Sequence, residues 1–146
     1  MNKLSMLVAL MCIIFIPVMS MQAPTVTGDD LKGEWIDEET NNIIEVIEFG
    51  GKYYAKVKGF MKPDSTVIYT EDDNYPNSKY IGSVLFERSE FANGIWSGGT
   101  RFYDYTTGRN NRYEIEVDSQ TDVSRVKITL KWFLAKDKTT HWTKRD

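Results

Sequence analysis

The chain has 146 residues, with 18 Lys and Arg against 21 Asp and Glu, one Cys and 13% aromatic residues. That length supports one domain with one real core, and a single cysteine excludes a disulfide framework. A net charge of −3 argues against nucleic acid or an anionic membrane surface as partner, because both select basic patches.

Met1 to Ser5 is a short basic start, followed by an unbroken apolar run from Met6 to Ile16 and by small residues at Ser20 and Ala23. This is the pattern of a secretory signal peptide over residues 1–20, cleaved after Ser20 or Ala23. The run is shorter than the roughly 20 apolar residues of a spanning helix, so no stable membrane span is expected after cleavage. Cys12 would leave with the leader, and its neighbours Met11 and Ile13 do not form a lipobox. Residues 1–20 hold one Lys and no acid, which leaves 17 basic and 21 acidic residues, a charge of −4. The expected location is the periplasm or outside the cell.

Gly28, Asp29 and Asp30 before Leu31 suit a short capped turn leading into a strand. Gly33 to Asp37 follows as that strand. Ile43 to Phe49 and Lys52 to Phe60 are arms of a hairpin about Gly50-Gly51, a two-residue loop that tolerates positive φ at both positions. In its second arm Tyr53, Ala55 and Val57 alternate with outward-pointing lysines. Val67 to Tyr69 is a short strand, and the polar stretch Glu71 to Lys79 reads as a loop across one barrel mouth. Ser83 to Phe91 is another strand. Ile95 to Asp104 and Arg112 to Asp118 then make a curved hairpin with its turn over Tyr105 to Asn111. Its first arm places Trp96, Thr100 and Phe102 on one face with Gly98 free to bulge. Tyr113, Ile115 and Val117 alternate against charged neighbours, the period of a half-buried antiparallel strand. Val126, Ile128, Leu130 and Trp132 share a face in the next strand, and Thr139 to Lys144 is the last. The spacing predicts an all-β fold, an up-and-down antiparallel barrel of about eight strands in a single domain over residues 31–146.

Gly33-x-Trp35 on the first strand, with Lys144 two residues after Trp142 on the last, resembles the signature of lipocalin- or calycin-like barrels. The order Gly33-x-Trp35, Ile44-Glu45-Val46, Gly50-Gly51, Trp96-Ser97-Gly98-Gly99, Phe102-Tyr103-Asp104, Gly108, Tyr113 and Trp142-Thr143 is similar to a bacterial family called domain of unknown function 2147. The resemblance implies export, a small calycin-like barrel and no assigned function. It also implies that Gly33, Trp35 and Lys144 close one end, the cation lying over the indole. Phe49 and Tyr54 stand where that family carries a cysteine pair, so an aromatic contact is expected in place of a disulfide. Tyr105 stands where it carries proline.

The chemistry-bearing residues favour a non-enzymatic protein. His141, the one histidine, faces outward by alternation, and without cysteine a transition-metal site is hard to assemble. Ser97 before Gly98-Gly99 lacks the spacing of a nucleophile elbow. Glu71, Asp72, Asp73 and Asn74 lack the fixed alternation of a calcium loop, and Asp104 beside Gly108 reads as a turn former. No metal or cofactor is expected. Tyr53, Trp96, Phe102, Tyr113 and Trp132 have two readings: a filled core, or the wall of a cavity for a small lipophilic or amphipathic ligand. The leading expectation is binding of such a ligand inside the barrel. The alternative is a filled barrel that meets an envelope protein through its outer aromatics, Tyr54, Tyr103 and Tyr105.

Overall fold

The computed structural model describes residues 25–146. The expected signal peptide, with its cleavage points at Ser20 and Ala23, lies outside the described residues. Ten strands follow in order: β1 (Gly33–Asp37), β2 (Asn42–Phe49), β3 (Lys52–Met61), β4 (Val67–Ile68), β5 (Val84–Ala92), β6 (Ile95–Ser97), β7 (Phe102–Asp104), β8 (Arg109–Ser119), β9 (Asp122–Lys131) and β10 (Lys138–Lys144). The helical elements among the described residues are two 3-10 turns, Gly28–Leu31 and Pro76–Tyr80.

The wall strands pair antiparallel in chain order, with β3 joined to β5 and both β6 and β7 joined to β8, and β1 closes the ring by pairing with β10. The sheet is a closed eight-position up-and-down barrel, because β6 and β7 share one position and β4 is a flap on β3. Closure removes the free edges that a sheet of this size would expose. Inward positions hold Trp35, Ile44, Val46, Tyr53, Phe86, Ile115, Ile128, Leu130 and Trp142, all in one continuous core.

The β2–β3 turn takes φ of +60° at Gly50 and +78° at Gly51, as a mirror-image hairpin turn requires. Its register sets Phe49 opposite Lys52 and Tyr54 opposite Ile47. Phe49 is 76% exposed, so the expected aromatic contact with Tyr54 is replaced by a solvated hairpin tip. At the β7–β8 turn, β8 begins at Arg109 rather than Arg112. The Asp104 carboxylate accepts hydrogen bonds from the Thr106 N–H and hydroxyl, and its carbonyl accepts from the Gly108 N–H, so the turn closes within four residues.

One wall position is irregular. Trp96 pairs with Ile115 and Phe102 with Asn111, so six steps on one arm span four on the other. The two extra residues bulge toward β5, where the Thr100 N–H donates to the Glu87 carbonyl and its hydroxyl accepts from the Glu87 N–H. Thr100 therefore leaves the face shared by Trp96 and Phe102. Gly99 makes this approach possible, since a Cβ there would stand 2.1 Å from the Glu87 carbonyl oxygen.

Candidate functional site

The Gly28–Leu31 turn seals one end of the barrel. Trp35 Nε1 donates to the Leu31 carbonyl at 2.8 Å, Trp96 Nε1 to the Gly28 carbonyl at 3.0 Å, and the Tyr53 hydroxyl to Asp29 at 3.1 Å. Lys144 Nζ lies 5.2 Å from the Trp35 ring centroid and 3.3 Å from the Asp30 carbonyl oxygen. Burial and the nearby Asp29 carboxylate push the Tyr53 phenol up to about 12. Gly33 opens β1 at φ +115°, beside the lysine stem.

The opposite end is also closed, and by polar groups. The Tyr105 hydroxyl donates to the Asp37 carboxylate and lies 2.9 Å from the Thr40 hydroxyl. Tyr80, from the 71–82 segment, packs on Tyr105 with ring centroids 4.8 Å apart, and Asn77 Nδ2 donates to the Thr40 carbonyl. That segment covers the mouth, and Tyr105 belongs to the interior. It is 6% exposed, which corrects its expected place among the outer aromatics: the short turn after Asp104 folds its ring inward. Burial raises the Asp37 carboxyl above its ordinary value, with the Tyr105 hydrogen bond opposing. Asp104 goes the other way. Burial would raise its carboxyl, but the Thr106 hydroxyl and the Lys138 ammonium at 3.0 Å outweigh that and hold it low.

Between these ends the bore is packed. Phe86 stacks on Tyr113 at 5.1 Å, and Phe102 touches Phe86, Tyr113 and Trp142 at 5.9, 5.6 and 6.2 Å. Of the five aromatic residues considered for a ligand wall, Tyr53, Trp96, Phe102 and Tyr113 lie inside this core. Trp132, just beyond β9, is half-buried and packs against the edge of this core, with the Arg109 guanidinium 4.7 Å above its ring.

Open space lies outside the bore, beside the β6–β7 bulge. A cleft of about 570 Å³ runs along Ser97 to Arg101 and is faced by Arg112, Tyr113, Glu114 and Lys131. A second, of about 500 Å³, continues past Arg101, Asn111 and Arg112 to Trp132 and Phe133. The Tyr113 hydroxyl crosses the gap to the Gly98 carbonyl at 2.8 Å in place of ladder hydrogen bonds. Asn111 Nδ2 and Trp132 Nε1 are buried without a hydrogen-bond partner, an arrangement that costs about 1–3 kcal/mol per group. Phe133 and Leu134, at the tip between β9 and β10, are 92% and 91% exposed. The signal for this region in the sequence is the pair Arg101 and Arg112, whose shared place in the cleft lining emerges only once the bulge is counted.

The remaining candidates are scattered. His141 Nε2 lies 3.6 Å from Asp118 on the outer surface. Asp72 caps its own loop through the Asn74 N–H and the Ser78 hydroxyl network. Among the described residues no group of three His, Cys, Asp or Glu side chains is arranged to hold a metal.

No family model matches the chain, and no curated protein matches it. Among solved structures, the chain is similar to protein HP1028 of Helicobacter pylori, described as belonging to the lipocalin family. The likeness has a TM-score of 0.55 at 17% identity, covering 80% of this chain and 83% of that one. It shows a shared lipocalin-like fold.

Proposed function

We propose that this chain is an exported, non-enzymatic binding protein for a small hydrophobic or amphipathic molecule, belonging to the family called domain of unknown function 2147. The ligand occupies the cleft beside the interrupted strand rather than the bore. The observation that carries this reading is the two-residue excess between Trp96 and Phe102, which opens the wall next to a core that is already full. Support for ligand binding at the level of the fold is analogy, since barrels of this size hold either side chains or one small molecule. Support for export is the leader pattern of residues 1–20. The non-enzymatic reading rests on the lining: Ser97 is in the cleft, but the one histidine, His141, is occupied beside Asp118 elsewhere.

Native mass spectrometry of the mature chain, secreted through its own leader, tests the reading. The expected result is an adduct that denaturation releases and that Trp132→Ala weakens, while the core change Phe102→Ala lowers stability instead. A bare mass, with no shift of tryptophan emission on adding lipophilic probes, refutes it. Phe133 and Leu134 favour a second reading, an interaction module for an envelope protein, since two adjacent large apolar side chains stand in solvent. Changing both to Ser would then abolish partner capture and leave probe binding intact.

A further inference from the structure

The cleft carries more chemistry than an apolar slot. Arg112 is in register with Lys131 across β8–β9. Arg101 directly precedes Phe102, the first β7 residue paired with β8, and lines the same two clefts as Arg112. Three cations therefore line one cleft, two of them directly opposite across β8–β9, and like charges directly opposite one another are destabilising. Lys131 is relieved by Asp137 at 3.3 Å and Glu114 at 3.9 Å. Arg101 and Arg112 have no carboxylate within ion-pair distance among the described residues, although each lines both clefts.

Many strand cations are paired, although Arg88, Arg109 and Lys144 are likewise without a carboxylate within ion-pair distance. Lys52, Lys58, Arg125, Lys127 and Lys138 each lie within 3.0 Å of a carboxylate oxygen. At the groove two guanidinium groups lack an anion, while the unpartnered Asn111 Nδ2 and Trp132 Nε1 are sealed within the wall behind the second cleft. Asn111 is 7% exposed and alternates with the exposed Arg112, so its amide points inward and belongs to the wall beneath the groove. The orphaned Asn42 at the polar end differs, because its amide lacks both a donor and an acceptor. Beside the cations, the Trp132 ring and the exposed Phe133 offer an apolar shelf.

The geometry points to an anion subsite in this groove, formed by Arg101 and Arg112, that selects a small amphipathic acid. The head group is a carboxylate or a phosphate monoester, and its apolar body lies along Trp132 and Phe133. Guanidinium forks match both oxyanions in a planar, bidentate way. The net charge of the chain does not oppose this, because a ligand in a cleft meets the local group of cations. The inference rests on the proposed reading of the cleft as the ligand site and adds the ligand's charge.

Dodecanoate and dodecanol are the probes, titrated into the full mature chain with tryptophan emission and calorimetry as readouts. Dodecanoate binding at least tenfold tighter than dodecanol is expected, falling at least tenfold in the Arg101→Gln/Arg112→Gln double variant and unchanged in Lys32→Gln at the far end. Both altered arginines are exposed, and far-ultraviolet circular dichroism checks that the double variant keeps the barrel. Equal binding of the two probes, or dodecanoate binding that survives the double change, overturns the anion subsite and leaves the binding cleft standing. Failure of both probes, and of phosphatidic acid vesicles, removes the cleft reading together with the subsite. Vesicle cosedimentation lost in the double variant assigns the head group to a bilayer lipid. Dodecanoate binding without cosedimentation assigns it to a free acid.

Discussion

Tyr105→Phe removes one hydroxyl from the polar end of the barrel and leaves the ring on Tyr80 in place. The lost group donates to the Asp37 carboxylate, which is 5% exposed and otherwise accepts from the Glu39 N–H at 2.9 Å. A hydrogen bond to a charged group contributes about 1.5–3 kcal/mol, against about 0.5–1.5 kcal/mol for a neutral one. Burial raises Asp37 above 3.8, so between 3.8 and its folded pKa the native state binds more protons than the unfolded chain. Stability from this group therefore falls as pH rises through that window, and its burial costs most above it. Removing the Tyr105 hydroxyl, which opposes the rise, raises the folded pKa further and enlarges the cost. The variant is expected to lose about 1.5–3 kcal/mol near pH 7 but only about 0.5–1.5 kcal/mol near pH 3, where the carboxyl is protonated in both states. Urea denaturation of the two proteins at both pH values reads the difference directly. On an Asp37→Asn background the pH dependence of the loss should vanish. Equal losses at the two pH values, or a loss below about 0.5 kcal/mol near neutrality, would show that the hydroxyl is not bonded to a buried charge.

Gly99→Ala puts a Cβ 2.1 Å from the Glu87 carbonyl oxygen at φ +70°, so a loss of at least about 1–2 kcal/mol is expected from the backbone conformation alone; an unchanged melting temperature counts against the bulge. Trp142→Ala empties the contact with Phe102 in a side chain that is 1% exposed, and should cost about 3–5 kcal/mol in urea denaturation. Arg125 and the Thr143 hydroxyl hold the Glu38 carboxyl down to about 2 from 4.5. Its contribution is present above 4.5 and lost as pH falls toward about 2, so Glu38→Gln should flatten the acid side of the stability profile. Parallel profiles for the two proteins would contradict that ion pair.

Local pattern carried most of the barrel. Alternation in Tyr53–Val57, Tyr113–Val117 and Val126–Leu130 determines which face is apolar, because successive strand side chains point to opposite sides. The Gly50-Gly51 turn follows from backbone sterics alone. The ring order follows as well, since the wall strands pair in chain order and need no long crossover. The expected aromatic set was legible as apolar, but periodicity does not distinguish a packed wall from a hollow one. That depends on whether Phe86, Phe102, Tyr113 and Trp142 reach one another across the bore.

What tertiary structure decided are the features that depend on register between distant segments. Tyr105 reads as an outer residue until the turn after Asp104 shortens and turns its ring toward Asp37, a partner 68 positions away. Arg101 and Arg112 are two ordinary polar residues in sequence. Only the two-residue bulge, fixed by Thr100 on β5, brings them to the lining of one cleft. Within the regular strands the sequence by itself determined which residues face inward, because that depends on the local period of the strand, whereas Tyr105 and Thr100 lie in a turn and a bulge. The location of the open space was decided by how the wall failed to match across the ring, a sum over the whole closed sheet that no single segment encodes.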